Sequence, residues 1–269
     1  MNGQTLKDRY GPWAVVAGAS EGIGLAIARH LAGDGIHCVL VARRAEPLES
    51  LAADLRAEFG IEAVVAPVDL SLPDACERVA AAVGEREVGL YVSNAGADPA
   101  GSHFLDAPID NWVGQIQRGV ITTMRSCHRY GGKMRKRGRG GLLLIGSGGC
   151  YGGGAYMSVY AGLKAFGLNF AEGVWAELAP HGVDVLYMAL STTDTPALRK
   201  LLSAKGLPLI QGLADPAEVA AHALARLPHG PVANWGQEDD QPGMSPISAA
   251  ARRQRVLAIG ESTKRIFGS

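Results

Sequence analysis

The sequence predicts an α/β fold: a doubly wound, mostly parallel sheet with helices on both faces, in one domain spanning residues 1–269. Short apolar runs alternate with longer amphipathic segments, which is the pattern of successive βαβ units. The apolar runs are continuous rather than alternating with polar residues, as strands buried on both faces require. A chain of 269 residues can bury a large core, and one domain is the simplest count.

Each strand and helix follows from this alternation. The last strand is expected at a sheet edge, and Asp215 is expected to cap the last predicted helix before the polar tail, with Pro216 behind it. Right-handed crossovers between successive strands make the sheet parallel. The predicted strands are residues 13–17, 37–42, 62–68, 89–93, 142–145, 183–190 and 231–235. The predicted helices are residues 23–32, 47–59, 74–83, 109–137, 159–179 and 215–226.

The regular alternation ends after Leu190. Residues 191–213 are predicted as a loop with a short helix, and residues 236–269 as a C-terminal extension. The extension begins with a polar loop and can continue as a helix from Ala249. No internal repeat and no second domain is predicted.

Composition argues against several classes of protein. Basic and acidic residues both number 26, so the net charge is zero, whereas nucleic-acid-binding proteins are usually basic. The basic run at residues 133–139 falls where a helix should end, and we interpret it as a solvated helix end. The chain has no run of about 18 apolar residues, so no membrane span is expected. Neither a nucleic acid nor a membrane is therefore an expected partner.

The cysteines and the N-terminus indicate a cytoplasmic protein. Cys38, Cys76, Cys127 and Cys150 form neither a C-x-x-C pair nor a zinc-ligand spacing with histidine. We expect reduced core thiols and no metal site. The first ten residues contain no apolar segment, so no secretory signal is expected.

Three glycines lie between the first strand and the first helix, namely Gly18, Gly22 and Gly24. A pyrophosphate needs backbone without a Cβ in its way, and the helix must pack closely on the sheet. The helix N-terminus then offers unpaired N–H groups to an anion. A glycine pattern alone can equally be an ordinary turn, but its place between strand and helix favours a Rossmann-type dinucleotide site.

The end of the second strand distinguishes the two nicotinamide dinucleotides. NAD sites place an acidic residue there and NADP sites an arginine. The sequence reads Val41-Ala-Arg-Arg44, so Arg43 is predicted to bind the 2′-phosphate, with Arg44 as its neighbour. Either arginine can instead be a solvated residue opening the next helix, and Glu21 disfavours a phosphate. NADP(H) is therefore preferred, and NAD(H) is possible.

A second group of residues suits proton transfer. Tyr160 and Lys164 stand one helical turn apart, thirteen residues after Ser147, which follows the strand at 142–145. A nearby ammonium lowers the pKa of a phenol from its ordinary value near 10. Tyr160 can then give a proton to a carbonyl oxygen or take one from an alcohol, while Ser147 holds the same oxygen. Separately these can be a surface pair and a turn serine, but together with the glycine turn they are hard to obtain by chance.

Together these residues resemble the short-chain dehydrogenase/reductase family over residues 12–200. The matching pieces, in family order, are the G-x-x-x-G-x-G turn, Asp69-Leu70, Asn94-Ala-Gly96, Ser147 and Tyr160-x-x-x-Lys164. The resemblance implies that Ser147 orients the carbonyl, Tyr160 is the acid/base, and Lys164 binds the nicotinamide ribose and tunes Tyr160. Asp69 would hydrogen-bond the adenine, Asn94 would steady the sheet, and Thr195 would contact the carboxamide. The cofactor contacts implied are Gly18, Ser20, Gly22, Ile23, Gly24, Arg43, Arg44, Asp69, Leu70, Asn94, Ala95, Gly96, Tyr160, Lys164 and Thr195.

The chain departs from the family pattern in two places. The asparagine that usually completes a proton relay to the lysine is replaced by Gly119, and Gln117 or Thr122 can substitute if the register differs. The usual Pro-Gly after the sixth strand is Leu190-Ser191, which can reshape the pocket floor or the carboxamide contact.

The resemblance implies an NADPH-dependent carbonyl reductase, or an alcohol dehydrogenase in reverse. The expected substrate walls are residues 148–157, 97–104 and the segment after Thr195. Leucines near 191–213 suit a lid over a bulky hydrophobic ketone or alcohol, although they can simply bury the helix. A non-redox lyase or epimerase, and a nucleotide-sensing protein with little turnover, remain alternatives. A homodimer or homotetramer through the long helices near 109–137 and 158–179 is also implied.

Overall fold

The computed structural model describes residues 5–96, 102–154, 156–204, 206–236 and 253. Within them, seven strands form one sheet in the order β3-β2-β1-β4-β5-β6-β7, and every neighbouring pair is parallel. This is the order of a doubly wound sheet that reverses direction beside β1, so the predicted fold class is confirmed. The strands are β1 (Trp13–Ala17), β2 (His37–Ala42), β3 (Ala63–Pro67), β4 (Val88–Ser93), β5 (Gly140–Ile145), β6 (Val183–Leu190) and β7 (Val232–Trp235).

Helices cover both faces of the sheet. One core layer packs α2, α3 and α9 on the sheet through residues such as Leu31 and Leu55, and the opposite layer packs α4, α6 and α7 through Val79 and Met134. The central strands β1, β4 and β5 are buried along their whole length, which explains their continuous apolar sequence. The helices are α1 (Leu6–Tyr10), α2 (Gly22–Gly33), α3 (Ala45–Phe59), α4 (Ala75–Val83), α5 (Ile109–Ile116), α6 (Thr122–Arg137), α7 (Ser158–Leu178), α8 (Pro196–Ala204) and α9 (Pro216–Arg226).

The prediction of one uninterrupted helix over residues 109–137 is wrong. A π-helical turn, Gln117–Ile121, separates α5 from α6. Gly119 lies in this turn, and a Cβ on it would stand 3.1 Å from Leu163 Cδ1 in α7. Glycine is a weak helix former, and π-helical turns occur mostly as single turns within α-helices. The interruption thus coincides with a glycine that packs closely against α7.

The other differences are small. Several helix and strand ends differ from prediction by one or two residues, and α1 was not predicted. A capping box between Thr5 and Asp8 starts α1, and buried Tyr10 at its end donates a hydrogen bond of 2.8 Å to Asp184. As predicted, β7 lies at the sheet edge and Asp215 caps α9 by accepting from the Ala217 N–H. The helix predicted from Ala249 falls outside the described residues, apart from Arg253.

The interior holds the four cysteines as predicted: Cys38, Cys76, Cys127 and Cys150 are all buried and unpaired by disulfides. Across the described ranges, no helix combines the length and the apolar character needed to cross a bilayer.

Candidate active site

The carboxyl ends of the strands bring the predicted site residues to one edge of the sheet. Strand β1 pairs with both β2 and β4, so the sheet reverses its winding there. In open α/β sheets, ligands bind outside the carboxyl ends at such a reversal. Gly18 follows β1, Asn94 follows β4 and Ser147 follows β5, which places all three at this edge.

The glycine turn leaves no room for side chains. A Cβ on Gly24 would lie 2.0 Å from the Gly18 carbonyl oxygen, and one on Gly18, whose φ is +87°, would lie 2.9 Å from the Ala95 nitrogen. Helix α2 therefore packs directly on the turn, as a close backbone approach to a phosphate requires. Glu21, at the N-cap of α2, makes no side-chain capping bond to the first-turn amides. The turn and the helix N-terminus fit a pyrophosphate.

Two further predicted residues support this turn. Asn94 donates a hydrogen bond of 2.9 Å from Nδ2 to the Gly18 carbonyl, tying β4 to the turn. A Cβ on Gly22 would lie 3.1 Å from Thr195 Cγ2, so the segment after β6 also reaches it. Of the remaining predicted contacts, Ile23 and Leu70 are buried and Ser20 is partly buried.

Asp69 lies shortly after the end of β3, where the adenine is expected. Its Oδ1 accepts hydrogen bonds from the Ser71 N–H (2.9 Å) and Ser71 Oγ (2.6 Å). Burial acts to raise the pKa of Asp69, but these bonds and the charges of Arg43 and Arg118 outweigh it, and the pKa is lowered. Asp69 is therefore an anionic acceptor with two guanidinium groups in its electrostatic environment.

The two arginines after β2 differ in their surroundings. Arg44 forms a 3.2 Å ion pair with Glu21, in which both side chains are largely exposed. Arg43 is exposed and close enough to Asp69 to lower the pKa of that carboxyl. The Glu21 carboxylate is thus balanced by Arg44, which leaves Arg43 as the better candidate for an added phosphate.

Ser147 and the ring of Tyr160 both lie beside Gly149. A Cβ on Gly149 would stand 3.6 Å from Ser147 Oγ and also 3.6 Å from Tyr160 Cε1, the ring carbon next to the one that bears the hydroxyl. Ser147 Oγ accepts a hydrogen bond of 3.2 Å from the Gly149 N–H, which holds the serine at the start of a short 3-10 turn, Gly148–Tyr151. The serine hydroxyl and the tyrosine ring are therefore neighbours around this glycine.

Lys164 completes the group from inside the protein. Its Nζ lies 5.5 Å from the centre of the Tyr160 ring and donates a hydrogen bond of 3.0 Å to the Ile145 carbonyl. Burial lowers the pKa of Lys164 from 10.5 to about 8; Cys150 opposes this shift and the Arg118 charge adds to it. The lysine is buried, and a positive charge there stabilises a phenolate in its neighbour.

Residues 94–96 connect the nucleotide end with the proton-transfer end. Asn94 contacts the glycine turn, and two residues later a Cβ on Gly96 would lie 3.4 Å from Lys164 Nζ. The structure therefore brings the glycine turn, Ser147, Tyr160 and Lys164 to the same end of the sheet.

At the position of the family's usual relay asparagine, this chain has Gly119, which packs against α7. Gly119 faces Leu163, one residue before Lys164. Thr122 does not substitute for the asparagine, because its buried hydroxyl donates to the Leu70 carbonyl at 2.9 Å. Gln117 lines an apolar groove with Val159. None of these contacts reaches Lys164.

The second departure from the family pattern, Leu190-Ser191 in place of Pro-Gly, lies where the chain leaves β6. Ser191 donates its N–H to the Trp235 carbonyl at 2.9 Å, and a Cβ on Gly236 would lie 2.1 Å from Ser191 Oγ. Ser191 thus extends the pairing with β7. Thr195 then caps α8 by accepting from the Leu198 N–H at 3.3 Å. The altered dipeptide still delivers Thr195 to the glycine turn.

Two residues at the site were missed by the sequence reasoning. Tyr187, within the predicted strand at 183–190, was given no role, yet its hydroxyl contacts the backbone of both Ser147 and Lys164. A tyrosine within an aliphatic strand was the available signal. Arg118 lies near both Asp69 and Lys164, and no sequence pattern indicated it, because the π turn determines its direction.

The predicted substrate walls are partly described, since residues 97–101 fall outside the described ranges. Tyr156 and Met157 are exposed, and the Tyr156 ring lies 4.0 Å from that of His103. Tyr151 donates to Asn234 Oδ1 at 2.7 Å, which anchors its loop to β7.

Comparison with known proteins identifies the family. The model of the short chain dehydrogenase family matches residues 12–206. A 7beta-hydroxysteroid dehydrogenase of Mediterraneibacter gnavus is 31% identical over 225 residues, which cover 83% of this chain and 85% of that protein. A solved structure of a 7beta-hydroxysteroid dehydrogenase has a TM-score of 0.81 at 26% identity, covering 94% of this chain and 100% of that one. A short-chain dehydrogenase from Sphingobium yanoikuyae, solved in complex with NADPH, has a TM-score of 0.77 at 25% identity, covering 95% of this chain and 96% of that one.

The parallel sheet and the glycine turn define a doubly wound α/β protein of the Rossmann type. The chain belongs to the short-chain dehydrogenase family, as the resemblance predicted.

Proposed function

We propose that the protein is an NADPH-dependent oxidoreductase that interconverts a ketone and a secondary alcohol on a bulky hydrophobic substrate, with Tyr160 as acid/base. One observation carries the proposal: Ser147 Oγ and the Tyr160 ring each lie 3.6 Å from the position that a Cβ on Gly149 would take, and Lys164 Nζ lies 5.5 Å from the centre of that ring. The relatives named 7beta-hydroxysteroid dehydrogenase support a ketone/alcohol reaction.

The chain's own residues would manage the substrate oxygen. A bound nicotinamide dinucleotide supplies the hydride in reduction and accepts it in oxidation. Ser147 donates a hydrogen bond to the carbonyl oxygen and orients that oxygen towards Tyr160. Tyr160 gives its proton to that oxygen in reduction and recovers a proton from the alcohol in oxidation. The Lys164 ammonium stabilises the phenolate left behind, and its burial strengthens that effect.

The cofactor would lie along the carboxyl edge of the sheet. The glycine turn and the N-terminus of α2 would hold the pyrophosphate, Asp69 and Leu70 the adenine, and Lys164 the nicotinamide ribose. Thr195, which contacts the turn at Gly22, would meet the carboxamide.

An apolar lid would cover the substrate. In the segment after Thr195, Leu202 is buried, whereas Leu207, Leu209 and Ile210 are each about half exposed. Packing of α8 against the protein therefore explains the burial of Leu202. The other three side chains are exposed, and we propose that they contact a ligand. Exposed apolar side chains beside a polar site suit a bulky hydrophobic substrate such as a steroid.

The test is NADPH consumption in the presence of steroidal, aromatic and acyl ketones. The loss of NADPH absorbance measures that consumption. We expect turnover with the bulky hydrophobic ketones and little with small hydrophilic ones. Tight NADPH binding without consumption of any ketone would instead favour the nucleotide-sensing alternative. Conversion of a substrate without net change in NADPH would favour a lyase or epimerase.

Replacing Arg43 tests the cofactor preference. Arg43→Ala is expected to weaken NADPH binding about 10- to 100-fold, because a charge-assisted bond to phosphate contributes about 1.5–3 kcal/mol. NADH binding should change less than about twofold. Fluorescence titration with both dinucleotides measures the difference, and Arg44→Ala, which removes the partner of Glu21, should show a smaller NADPH effect. Equal losses for both dinucleotides in Arg43→Ala would contradict the phosphate role.

Self-association would occur through α5 and α7. An open apolar groove of about 520 Å³ is lined by exposed Ile109, Val113 and Ile116 together with Val159 and Leu163. Patches of this kind are typical of subunit interfaces. We propose a homodimer or homotetramer, and light scattering that finds only the 28.1 kDa monomer at micromolar concentration would contradict it.

We also propose a cytoplasmic location, because four buried free thiols suit a reducing compartment. Finding the native chain in an oxidising compartment by cell fractionation would contradict this.

A further inference from the structure

A single buried hydroxyl joins the backbones of two residues in the proposed catalytic group. Tyr187 is 2% exposed, and its hydroxyl donates a hydrogen bond of 3.0 Å to the Lys164 carbonyl. The same oxygen accepts a hydrogen bond of 3.3 Å from the Ser147 N–H. One end of this bridge lies in α7, which carries Tyr160, and the other lies at the end of β5.

Two glycines make room for this phenol. A Cβ on Gly146, directly before Ser147, would lie 2.0 Å from Tyr187 Cζ and 2.4 Å from its hydroxyl. A Cβ on Gly167, three residues after Lys164, would lie 3.1 Å from Tyr187 Cε2. The ring therefore occupies space that side chains at either position would take. Strand β5, helix α7 and the phenol fit together only as a set.

The bridge acts where the strand ladder ends. The Gly146 N–H still donates to the Met188 carbonyl at 2.8 Å, as in the pairing of β5 with β6. The next amide, that of Ser147, donates to Tyr187 instead. An amide left without a partner away from water is unfavourable, so this bond favours one position of the serine backbone.

The phenol keeps its proton across the assay range. Burial, reinforced by Cys150, raises the pKa of Tyr187 well above its ordinary value of 10.0. The hydroxyl therefore remains a donor to the Lys164 carbonyl and an acceptor for the Ser147 amide around neutral pH.

We infer that Tyr187 is a positioning residue, whose hydroxyl sets the location of Ser147 relative to the helix that carries Tyr160 and Lys164. This inference rests on the proposed function, since it concerns the spacing of the proposed catalytic groups. Tyr187 itself is buried, and its hydroxyl bonds the backbone of Ser147 and Lys164 rather than their side chains. Small displacements of a catalytic group can reduce turnover strongly, so the fixed spacing has a kinetic consequence.

Tyr187→Phe deletes one oxygen and keeps the ring. We expect kcat for ketone reduction to fall about tenfold, with the NADPH dissociation constant and the substrate KM within about twofold of wild type. The matched control is Tyr130→Phe, which makes the same deletion in the same core layer. The Tyr130 hydroxyl has no hydrogen-bond partner in the described part of the chain, so its loss should leave kcat unchanged.

A double-mutant cycle distinguishes positioning from general weakening of the fold. If Tyr187 acts through Ser147, Tyr187→Phe should lower kcat much less in a Ser147→Ala background than in wild type. Gly167→Ala gives a second variant that retains the phenol but crowds its ring, in a helix where alanine is favourable. It should keep the melting temperature and lower kcat severalfold.

Unchanged kcat in both Tyr187→Phe and Gly167→Ala would overturn the inference, as would full additivity with Ser147→Ala. Tyr160→Phe is assayed in parallel as the reference for the proposed function. If that variant retains turnover, the proposed chemistry fails. If it is inactive while the Tyr187 variants are normal, only the positioning role fails.

Discussion

Tyr160→Phe should lower kcat for ketone reduction by about 10²- to 10⁴-fold, the usual contribution of a positioned acid or base. The ring would still fill the space beside Ser147 and Gly149, but no proton would be available to the substrate oxygen. NADPH binding should stay within about twofold of wild type, because the glycine turn and the Asp69 region are untouched. Stopped-flow or steady-state NADPH absorbance gives the rate, and fluorescence titration gives the binding constant.

The control for this variant is Tyr10→Phe, which removes a hydroxyl near the amino-terminal ends of the strands, away from the proposed site. That hydroxyl bonds Asp184 at 2.8 Å, so its loss should reduce the free energy of unfolding by about 1 kcal/mol and leave kcat unchanged. Retained turnover in Tyr160→Phe would refute the assignment of the acid/base. A parallel loss in Tyr10→Phe would indicate that hydroxyl deletion acts through the fold.

Lys164→Met should inactivate the enzyme and stabilise the fold. Without the ammonium, the Tyr160 phenolate loses its nearest positive charge, and we expect kcat to fall at least about 100-fold. A pKa lowered from 10.5 to about 8 corresponds to about 3 kcal/mol of cost for burying the charge. Loss of the hydrogen bond to the Ile145 carbonyl offsets about 1 kcal/mol of this gain. The free energy of unfolding of the variant should therefore be about 2 kcal/mol higher than that of wild type at pH 7.

The pH dependence gives this prediction a definite sign. Below pH 8 both folded and unfolded wild type hold the Lys164 proton, so the cost of burial is present in full. Between pH 8 and 10.5 the folded protein releases the proton while the unfolded chain keeps it, and wild-type stability rises with pH relative to the variant. Above pH 10.5 this cost is absent.

Urea unfolding at a series of pH values measures the difference. The gap between Lys164→Met and wild type should be largest below pH 8 and should narrow towards pH 10.5. Lys133→Met, at an exposed position on α6, is the control and should show no comparable gap. A pH-independent gap, or a destabilised Lys164→Met, would contradict the buried-ammonium account.

Local sequence features predicted the sheet well. The predominantly apolar runs at Trp13–Ala17 and Val183–Leu190 became strands with the predicted bounds, because a strand buried on both faces is mostly apolar; Asp184, the one charged residue, lies near the start of its strand and is only partly buried. The glycine turn was also predictable, since only residues without a Cβ tolerate the 2.0 Å approach found at Gly24. Ser147, Tyr160 and Lys164 were predicted as a group from spacing and resemblance, and the structure places them together.

The long helix shows where such reasoning stops. Residues 109–137 have a helical pattern throughout, yet a π turn interrupts them at Gln117–Ile121. The turn coincides with a close approach of Gly119 to Leu163 in α7, a neighbour that lies far away along the chain. The same turn directs Arg118 towards the surroundings of Asp69 and Lys164.

Tyr187 illustrates the same limit. The sequence placed it only within a predicted strand, and the structure shows that it is buried there. Its bonds to Ser147 and Lys164 depend on Gly146 and Gly167, which lie in two other elements.

The sequence by itself determined the strand and helix order, the glycine turn and the identity of the proposed catalytic side chains, because these depend on residue type and short spacing along the chain. Only the tertiary structure decided which backbone atoms hold those side chains in place, how deeply Lys164 is buried and what occupies the relay position. Those properties arise from contacts between elements far apart in the chain, where burial and the room left by a missing Cβ determine the outcome.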